Sequence, residues 1–244
     1  MSKTIMIIGA KSDIARAIAH EFASKGYNLQ LLARKSDSLL KGVADLKIRY
    51  RIDVECFEFD VLDFKSHTVF VNSLPLLPDV VVSLVGSLGD QHQSQNEWDA
   101  CESVLDTNFS GPVSILNVLA NKLEERKRGT IVGVSSVAGD RGRQSNYLYG
   151  SAKAGFTAYL AGLRNRLNKS NVHVVTVKPG FVNTSMTADM DLPERLTAQA
   201  EQVADDVYQA VIKKKNTLYT LWFWRYIMLI IKSIPEFIFK KLSL

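Results

Sequence analysis

Short apolar runs of strand length alternate along the chain with longer stretches in which apolar residues recur at helical spacing. The runs are rich in Val, Ile and Leu, which is typical of strands buried on both faces of a sheet. The predicted strands cover residues 4–9, 28–33, 54–59, 80–84, 129–135, 173–178 and 217–221. The predicted helices cover residues 13–25, 36–50, 63–73, 96–127, 147–168 and 199–214.

Repeated strand-helix-strand units with right-handed crossovers predict an α/β fold, a doubly wound parallel sheet of seven strands with helices on both faces. In such a sheet, ligands bind beyond the carboxyl ends of the strands. Several polar or small residues fall at or just after those ends, and we therefore expect them to share one cleft. They are Gly9, Arg34, Asp60, Gly86, Ser136, Pro179 and Gly180.

Composition is consistent with one compact domain, because the chain has 244 residues of which 46% are hydrophobic. Cys56 and Cys101 are too few for a disulfide framework, which favours a reducing compartment. The four His are scattered, and we expect no metal site. Residues 1–8 run directly into Gly9 without a small-residue cleavage site, which predicts a first strand rather than a signal peptide. We therefore expect a cytoplasmic protein.

The chain carries a net charge of +5, which suits anionic partners but is also ordinary for a soluble surface. No aromatic-basic motif of a nucleic-acid-binding domain accompanies this charge. We therefore expect no nucleic acid partner.

Tyr149 and Lys153 lie one helical turn apart, and Ser136 precedes the tyrosine by thirteen residues. A nearby cation favours the phenolate and lowers its pKa from about 10 toward neutrality, so that the phenol can exchange a proton with a carbonyl or alcohol oxygen. The pattern indicates carbonyl reduction or alcohol oxidation, although Tyr and Lys are also ordinary on a solvated helix face. Tyr147 and Ser135 are expected to point elsewhere, in packing or capping roles.

The first strand-helix turn suits a nucleotide pyrophosphate only in part. Gly9 and Ser12 can supply a tight turn and backbone N–H groups at a helix N-terminus, with Asp13 and Ile14 completing the predicted contact. Asp13 and Ala15 stand where the usual fingerprint has its second and third glycines. A helix capped by Ser12 or Asp13 is an alternative that is compatible with binding.

The second predicted strand ends with a neutral residue, Ala33, followed by Arg34. A carboxylate at this point would bind the adenosine ribose of NAD, whereas an arginine can neutralise the 2′-phosphate of NADP. The sequence therefore favours NADP(H).

With these motifs, the chain resembles the short-chain dehydrogenases/reductases over nearly its whole length, which implies a Rossmann-type fold. The resemblance implies catalytic roles for Ser136, Tyr149 and Lys153, with Asn108 completing a tetrad. It also implies that Tyr149 and Lys153 contact the cofactor. Of the family's Asn-Asn-Ala-Gly motif, only Gly86 is present. The other implied cofactor contacts are Asp60, Val61, Pro179, Gly180, Val182 and Thr184.

Residues 134–155 and the aromatic-basic ending at 223–242 are similar to a narrower group, the NADPH-dependent reductase components of decaprenylphosphoryl-ribose 2-epimerase. This resemblance implies reduction of the 2-keto group of a pentose linked to a polyprenyl phosphate. The nicotinamide would supply hydride and Tyr149 the proton, Ser136 would position the carbonyl oxygen, and Lys153 would lower the tyrosine pKa and hold the ribose. The backbone of Asn108 would anchor a water. A flavin-dependent oxidase partner and a homo-oligomer are also implied.

We divide the chain into a reductase domain, residues 1–221, and a C-terminal tail, residues 222–244. The apolar stretch at 221–231 is shorter than the ~20 residues that span a bilayer. Flanked by lysines, it can lie in the interface at the inner face of the membrane, or it can pack over the cleft or between subunits. In the interfacial case the expected lipid contacts are Trp222, Phe223, Trp224, Tyr226, Ile227 and Met228.

Alternatives remain open for the substrate. Arg141 and Arg143, in the loop before Tyr149, can bind a substrate phosphate or belong to a solvated loop. Instead of a lipid-linked sugar, the substrate can be a soluble or fatty-acyl ketone. A catalytically silent nucleotide-binding protein is a third possibility, because fold alone does not prove activity.

Overall fold

The computed structural model describes residues 2–188 and 190–242. Met1, which begins the predicted N-terminal apolar run, lies outside this part. Residues 243–244 of the predicted tail also lie outside it. The strands are β1 (Thr4–Ile8), β2 (Asn28–Ala33), β3 (Val54–Glu58), β4 (Val80–Ser83), β5 (Gly129–Val134), β6 (Val172–Pro179), β7 (Phe181–Asn183), β8 (Thr197–Gln199) and β9 (Thr217–Thr220).

Seven of these strands form a parallel sheet in the order β3-β2-β1-β4-β5-β6-β9. The predicted doubly wound fold is thereby confirmed. The strand order reverses between β1 and β4, and this switch point is where an open α/β sheet leaves a crevice for a ligand.

The helices are α1 (Asp13–Ser24), α2 (Leu40–Tyr50), α3 (Ser66–Ser73), α4 (Gln91–Asn96), α5 (Trp98–Leu105), α6 (Gly111–Arg126), α7 (Tyr147–Leu167), α8 (Ala200–Ile212), α9 (Trp224–Ser233) and α10 (Glu236–Phe239). On one face of the sheet, α1, α2 and α8 enclose a core that contains Phe22. On the other face, α3, α6 and α7 enclose a core that contains Phe156. Both phenylalanines are almost completely buried, as the predicted two-sided burial requires.

The single helix predicted for residues 96–127 is wrong in detail, since the chain forms α5, a π-type turn over Asp106–Ser110, and then α6. Pro112 stands in the first turn of α6, where its missing N–H is tolerated, and so it did not break the apolar periodicity. The short helix α4 was not predicted. It is mostly polar and begins where the Asp90 carboxylate accepts a hydrogen bond from the Gln93 N–H.

A second, two-stranded parallel sheet pairs β7 with β8 and was also not predicted. Each strand has three residues, which is too short for a reliable alternation of apolar and polar positions. This small sheet carries the chain from the carboxyl end of β6 around the cleft to α8.

One side of α9 is buried against the body of the protein. Trp224 is 4% exposed and Met228 is 1% exposed, and both pack against Val137. The Trp224 indole lies directly on Gly180, where a side-chain carbon would overlap it, and its Nε1 donates a hydrogen bond to the Leu196 carbonyl at 3.2 Å. The expectation that Trp224 and Met228 contact lipid is therefore wrong.

The other side of α9 carries apolar side chains that nothing in residues 2–188 and 190–242 covers. We call Trp222, Tyr226, Leu229 and Ile230 the exposed tail face. The last three lie on one side of α9, and Trp222 precedes the helix with its ring against that of Tyr226. They are between 56% and 72% exposed. None of the described helices is both long and apolar enough to cross a bilayer.

Candidate active site

The carboxyl end of β5 and the first turns of α7 bring Ser136, Tyr149 and Lys153 to one cavity of about 220 Å³. Ser136 follows β5 in extended conformation, and its hydroxyl accepts a hydrogen bond from the Ala138 N–H at 3.1 Å. Tyr149 and Lys153 lie on successive turns of α7. The three predicted residues therefore line the same space.

Burial dominates the electrostatics of this cavity. It lowers the pKa of Lys153 to about 8 and raises the pKa of Tyr149 to about 12, with the Ser136 side chain acting in the opposite direction on the phenol. The expected lowering of the tyrosine pKa by the lysine is not found. The Lys153 Nζ instead donates a hydrogen bond to the Val134 carbonyl at 3.2 Å and lies 5.7 Å from the centre of the Tyr149 ring.

Asn108 lies in the π-type turn and is completely buried. Its Nδ2 donates hydrogen bonds to the carbonyls of Ser87, at 2.7 Å, and Val104, at 2.8 Å, and its Oδ1 accepts one from the Ser87 N–H. A side-chain carbon on Gly86 would lie 3.0 Å from Asn108 Oδ1 and 3.2 Å from Lys153 Nζ. Because Gly86 has no side chain, Asn108 and Lys153 can lie close to the loop that follows β4.

Ser135 and Tyr147 are turned away from the phenol, as expected. The Ser135 hydroxyl donates a hydrogen bond to the Lys153 carbonyl at 2.9 Å and pairs with Thr157, so it fastens α7 to β5. The Tyr147 hydroxyl lies at the surface and donates a hydrogen bond to Gln95. Neither side chain competes for the position of Tyr149.

A second cavity of about 730 Å³ adjoins the first, and Ser12 and Gly86 line both. It follows the carboxyl ends of β1, β2 and β3, on the far side of the switch point. Its predicted lining residues are Gly9, Ser12, Arg34, Asp60, Val61 and Gly86.

Two lysines that we did not predict complete the basic side of this second cavity. Lys11 and Lys35 line it together with Arg34, and Lys11 Nζ donates a hydrogen bond to the Arg34 carbonyl at 3.1 Å. The carboxylate of Glu58 is occupied by the backbone N–H groups of Lys35 and Ser36, which hold its pKa below the usual range. The signal for these lysines in the sequence was their position, two or three residues after a strand end.

The residues predicted around the nicotinamide line the first cavity: Pro179, Gly180, Val182 and Thr184, together with Ser12, Asp13 and Ile14 from the first turn. Ser12 caps α1 through the Ala15 N–H, as one alternative held. The Asp13 carboxylate accepts hydrogen bonds from Arg16 and from the Ser185 N–H, at 2.7 Å each, and these contacts lower its pKa. Asp13 therefore ties the loop after β7 to the first turn.

The two cavities together fit a dinucleotide. The polar end is supplied with cations by Lys11, Arg34 and Lys35, and Gly86 lines both cavities where they adjoin. The inner end reaches Tyr149 and Lys153. Among the residues that the structure describes, no three His, Cys, Asp or Glu side chains gather as ligands for a metal ion.

Comparison with known proteins places the chain among oxidoreductases. Residues 3–195 match the family model described as short chain dehydrogenase. An uncharacterized oxidoreductase of Mycobacterium tuberculosis is 32% identical over 98% of this chain and 96% of its own. Sulfoacetaldehyde reductase 2 of Chromohalobacter salexigens is 29% identical over 85% of this chain and 88% of its own. A short-chain dehydrogenase from Sphingobium yanoikuyae, solved with NADPH, superposes with a TM-score of 0.82 at 19% identity, covering 96% of this chain and 97% of that one.

Proposed function

The chain belongs to the short-chain dehydrogenase family, and we propose that it is an NADPH-dependent ketoreductase that reduces the 2-keto group of a pentose carried on a polyprenyl phosphate. The observation that carries the reductase proposal is the convergence of Ser136, Tyr149 and Lys153 on one cavity that continues into a dinucleotide-sized cleft.

NADP(H) is the cofactor that the second cavity fits best. Arg34 follows the neutral Ala33, and Lys11 and Lys35 add two further cations at the same rim. The similarly folded Sphingobium yanoikuyae enzyme was solved with NADPH, which agrees with this assignment. Bound NADPH would supply the hydride for the carbonyl carbon.

In the proposed mechanism, Tyr149 donates its proton to the carbonyl oxygen, so that no isolated alkoxide forms. The phenol holds the proton that this role requires at neutral pH, since burial raises its pKa to about 12, and the Ser136 side chain acts in the opposite direction. Ser136 holds the carbonyl oxygen beside it. Lys153 would hold the nicotinamide ribose and would return a proton toward the phenol, which its pKa of about 8 permits. Asn108 fixes the loop at Gly86 and the turn of helix that precedes α6.

The lipid-linked substrate is supported by the resemblance of residues 134–155 and of the tail, and by the exposed tail face, which is carried on the helix whose Trp224 lines the cavity. Apolar side chains at the interface and lysines among anionic head groups would bring the cavity to the membrane surface. We accordingly place the protein in the cytoplasm, peripheral at the inner face of the membrane. A homo-oligomer, and a flavin-dependent oxidase that produces the ketone, are part of the same proposal.

A second candidate is reduction of a small soluble carbonyl compound. The relative named sulfoacetaldehyde reductase 2 favours it, because it matches over 85% of this chain. The two candidates share the reductive chemistry and differ in what surrounds the carbonyl group.

The test of the proposed substrate is NADPH consumption with a 2-keto pentose phosphopolyprenol, compared with sulfoacetaldehyde and simple ketones. We expect kcat/KM for the lipid-linked ketone to exceed the others by at least about 100-fold, a factor that a few additional contacts can supply. Faster turnover of a soluble carbonyl compound would contradict the lipid-linked assignment and leave the reductase chemistry in place.

Replacing Arg34 by Ala should narrow the preference for NADPH over NADH. A charge-assisted contact with the 2′-phosphate is lost, so NADPH should bind roughly ten times more weakly while NADH affinity stays nearly constant. Fluorescence titration of both cofactors measures this effect. Equal affinities in the unmodified protein would refute the cofactor assignment, whereas an unchanged preference in the variant would transfer the role to Lys11 or Lys35.

A further inference from the structure

Arg141 and Arg143 belong to the same loop between Ser136 and Tyr149, but the structure gives them different surroundings. Arg141 is used within the protein: its guanidinium donates hydrogen bonds to the carbonyls of Ile231, at 2.6 Å, and Ile234, at 2.7 Å. It also pairs with Glu236 at 2.9 Å and lies 3.6 Å from the centre of the Phe239 ring. Arg141 therefore fastens the end of α9 and the start of α10.

Arg143 lines the cavity that contains Tyr149 and Ser136, and it has little to bind there. Its guanidinium donates to the Met228 sulfur at 3.3 Å, which is a weak acceptor, and its Nε is buried without a hydrogen-bond partner. Burial lowers its pKa. Within residues 2–188 and 190–242, no carboxylate lies within ion-pair distance of it.

The nearest opposing charge is already engaged. Asp140 acts electrostatically on Arg143, but its carboxylate accepts hydrogen bonds from Lys178 and from the Tyr219 hydroxyl. A guanidinium that is half-buried and unpaired is costly to maintain, because desolvation is not offset by a partner. Its position at the wall of the reactive cavity indicates that the partner arrives with a ligand.

Asn146, the residue before α7, lines the same cavity and also has a polar atom without a partner. Its Oδ1 is buried without a donor even though the residue stands at the capping position. This atom is shielded from the open space of the cavity, so Arg143 is the residue that is placed to bind a ligand there. Phe181, Met186 and Trp224 add apolar side chains to the cavity lining.

The cations that line the nucleotide cavity are different residues. Lys11, Arg34 and Lys35 line the second cavity, and Arg143 does not. An anion at Arg143 therefore belongs to the substrate rather than to the adenosine end of the cofactor.

We propose that Arg143 is a specificity-determining residue that binds an oxyanion carried by the substrate. Under the proposed function, on which this inference rests, the oxyanion is the phosphodiester that joins the ketopentose to its lipid. The fork of a guanidinium matches two oxygens of a phosphate or sulfonate, and the partial burial of Arg143 strengthens its attraction for an anion.

The test compares three substrates in the unmodified protein and in Arg143→Met, which keeps the apolar length of the side chain. The substrates are a short-chain alkyl phosphodiester of the 2-keto pentose, the neutral methyl glycoside of the same ketopentose, and sulfoacetaldehyde. For the phosphodiester, we expect KM to rise about 10- to 100-fold, the scale of a lost charge-assisted contact. KM for the neutral glycoside should change less than about twofold. For the phosphodiester, the KM of Arg143→Lys should lie between that of the unmodified protein and that of Arg143→Met, because lysine keeps the charge and loses the two-pronged guanidinium.

Arg141→Met is the matched control, and we expect it to lower the thermal midpoint without discriminating anionic from neutral substrates. If Arg143→Met weakens all three substrates equally, Arg143 has only a structural role and the inference is overturned. A third outcome is that neither protein reduces the phosphodiester, while KM for sulfoacetaldehyde rises selectively in Arg143→Met. In that case the oxyanion site stands and the lipid-linked function fails. If all anionic substrates are unaffected, the inference fails and the proposed function remains.

Discussion

Replacing Tyr149 by Phe should leave NADPH binding intact and slow ketone reduction by a factor of about 100 or more, the scale expected for losing a positioned acid. The substitution removes one hydroxyl from the cavity and keeps the ring on α7, so the fold should be unaffected. Stopped-flow reduction together with fluorescence titration of NADPH measures both effects in the same sample.

The matched control is Tyr147→Phe, because that hydroxyl lies at the surface and donates a hydrogen bond to Gln95 rather than facing the cavity. It should reduce ketones at nearly the normal rate. Near-normal turnover in Tyr149→Phe, or a large loss in Tyr147→Phe, would contradict the assignment of the proton donor.

The pH dependence of reduction follows from the same residues. Lys153 is protonated below a pKa of about 8, and Tyr149 keeps its proton up to about 12. As the pH rises through about 8, Lys153 loses the charge and the proton it supplies, while the phenol is still protonated. We therefore expect the reductive kcat to fall with an apparent pKa near 8. A rate that is constant to pH 10 would exclude Lys153 from the proton path.

The sheet could be predicted from the sequence because its signal is local. Each buried strand shows as an unbroken run of Val, Ile and Leu, and Thr4–Ile8, Asn28–Ala33 and Val80–Ser83 are each found within one residue of their predicted ends. The residues at the strand ends could then be predicted to share a cleft, because parallel strands present their carboxyl ends on one edge of the sheet.

The interruption of the helix at Asp106–Ser110 could not be predicted, because it depends on contacts far along the chain. Asn108 is buried there through hydrogen bonds to both backbone groups of Ser87, twenty-one residues earlier. Helical periodicity does not indicate such a hydrogen-bond partner, because it reports only which positions of one helix are apolar. The resemblance singled out Asn108, and only the structure shows that its side chain is engaged by this loop.

Asp13 illustrates a different limit. In the sequence it is a departure from a glycine fingerprint, and its charge next to a phosphate site is unfavourable. In the structure its carboxylate binds Ser185, which is 172 residues away, and stabilises the loop that follows β7. The compensation is a backbone N–H group, which no sequence pattern displays.

The tail carries a buried tryptophan, Trp224, and an exposed one, Trp222, two residues apart. Trp224→Ala should lower the free energy of unfolding by about 3–5 kcal/mol, the usual cost of truncating a buried tryptophan. The indole is 4% exposed, lies against Gly180 and stacks edge-on with Phe181 at 5.5 Å. Its loss opens the cavity, so reduction of every ketone should fall as well. Urea denaturation and steady-state kinetics measure these effects.

Trp222→Ala is the matched variant, two residues away and on the opposite side of the chain. Trp222 is 72% exposed and contacts the Tyr226 ring at 5.8 Å. Its removal should change the free energy of unfolding by less than about 0.5 kcal/mol. It should weaken sedimentation with anionic phospholipid vesicles roughly tenfold, because a large apolar side chain no longer enters the interface.

The pair separates the two roles of the tail, since one variant tests packing and the other tests lipid contact. Vesicle binding of the unmodified protein should also decline as salt screens the lysines around α9. If the protein does not bind vesicles at all, while Trp222→Ala dissociates a homo-oligomer in analytical ultracentrifugation, the exposed tail face is a subunit interface. The membrane assignment then fails, and the role of Trp224 in closing the active site is unaffected, because it depends only on contacts within one chain.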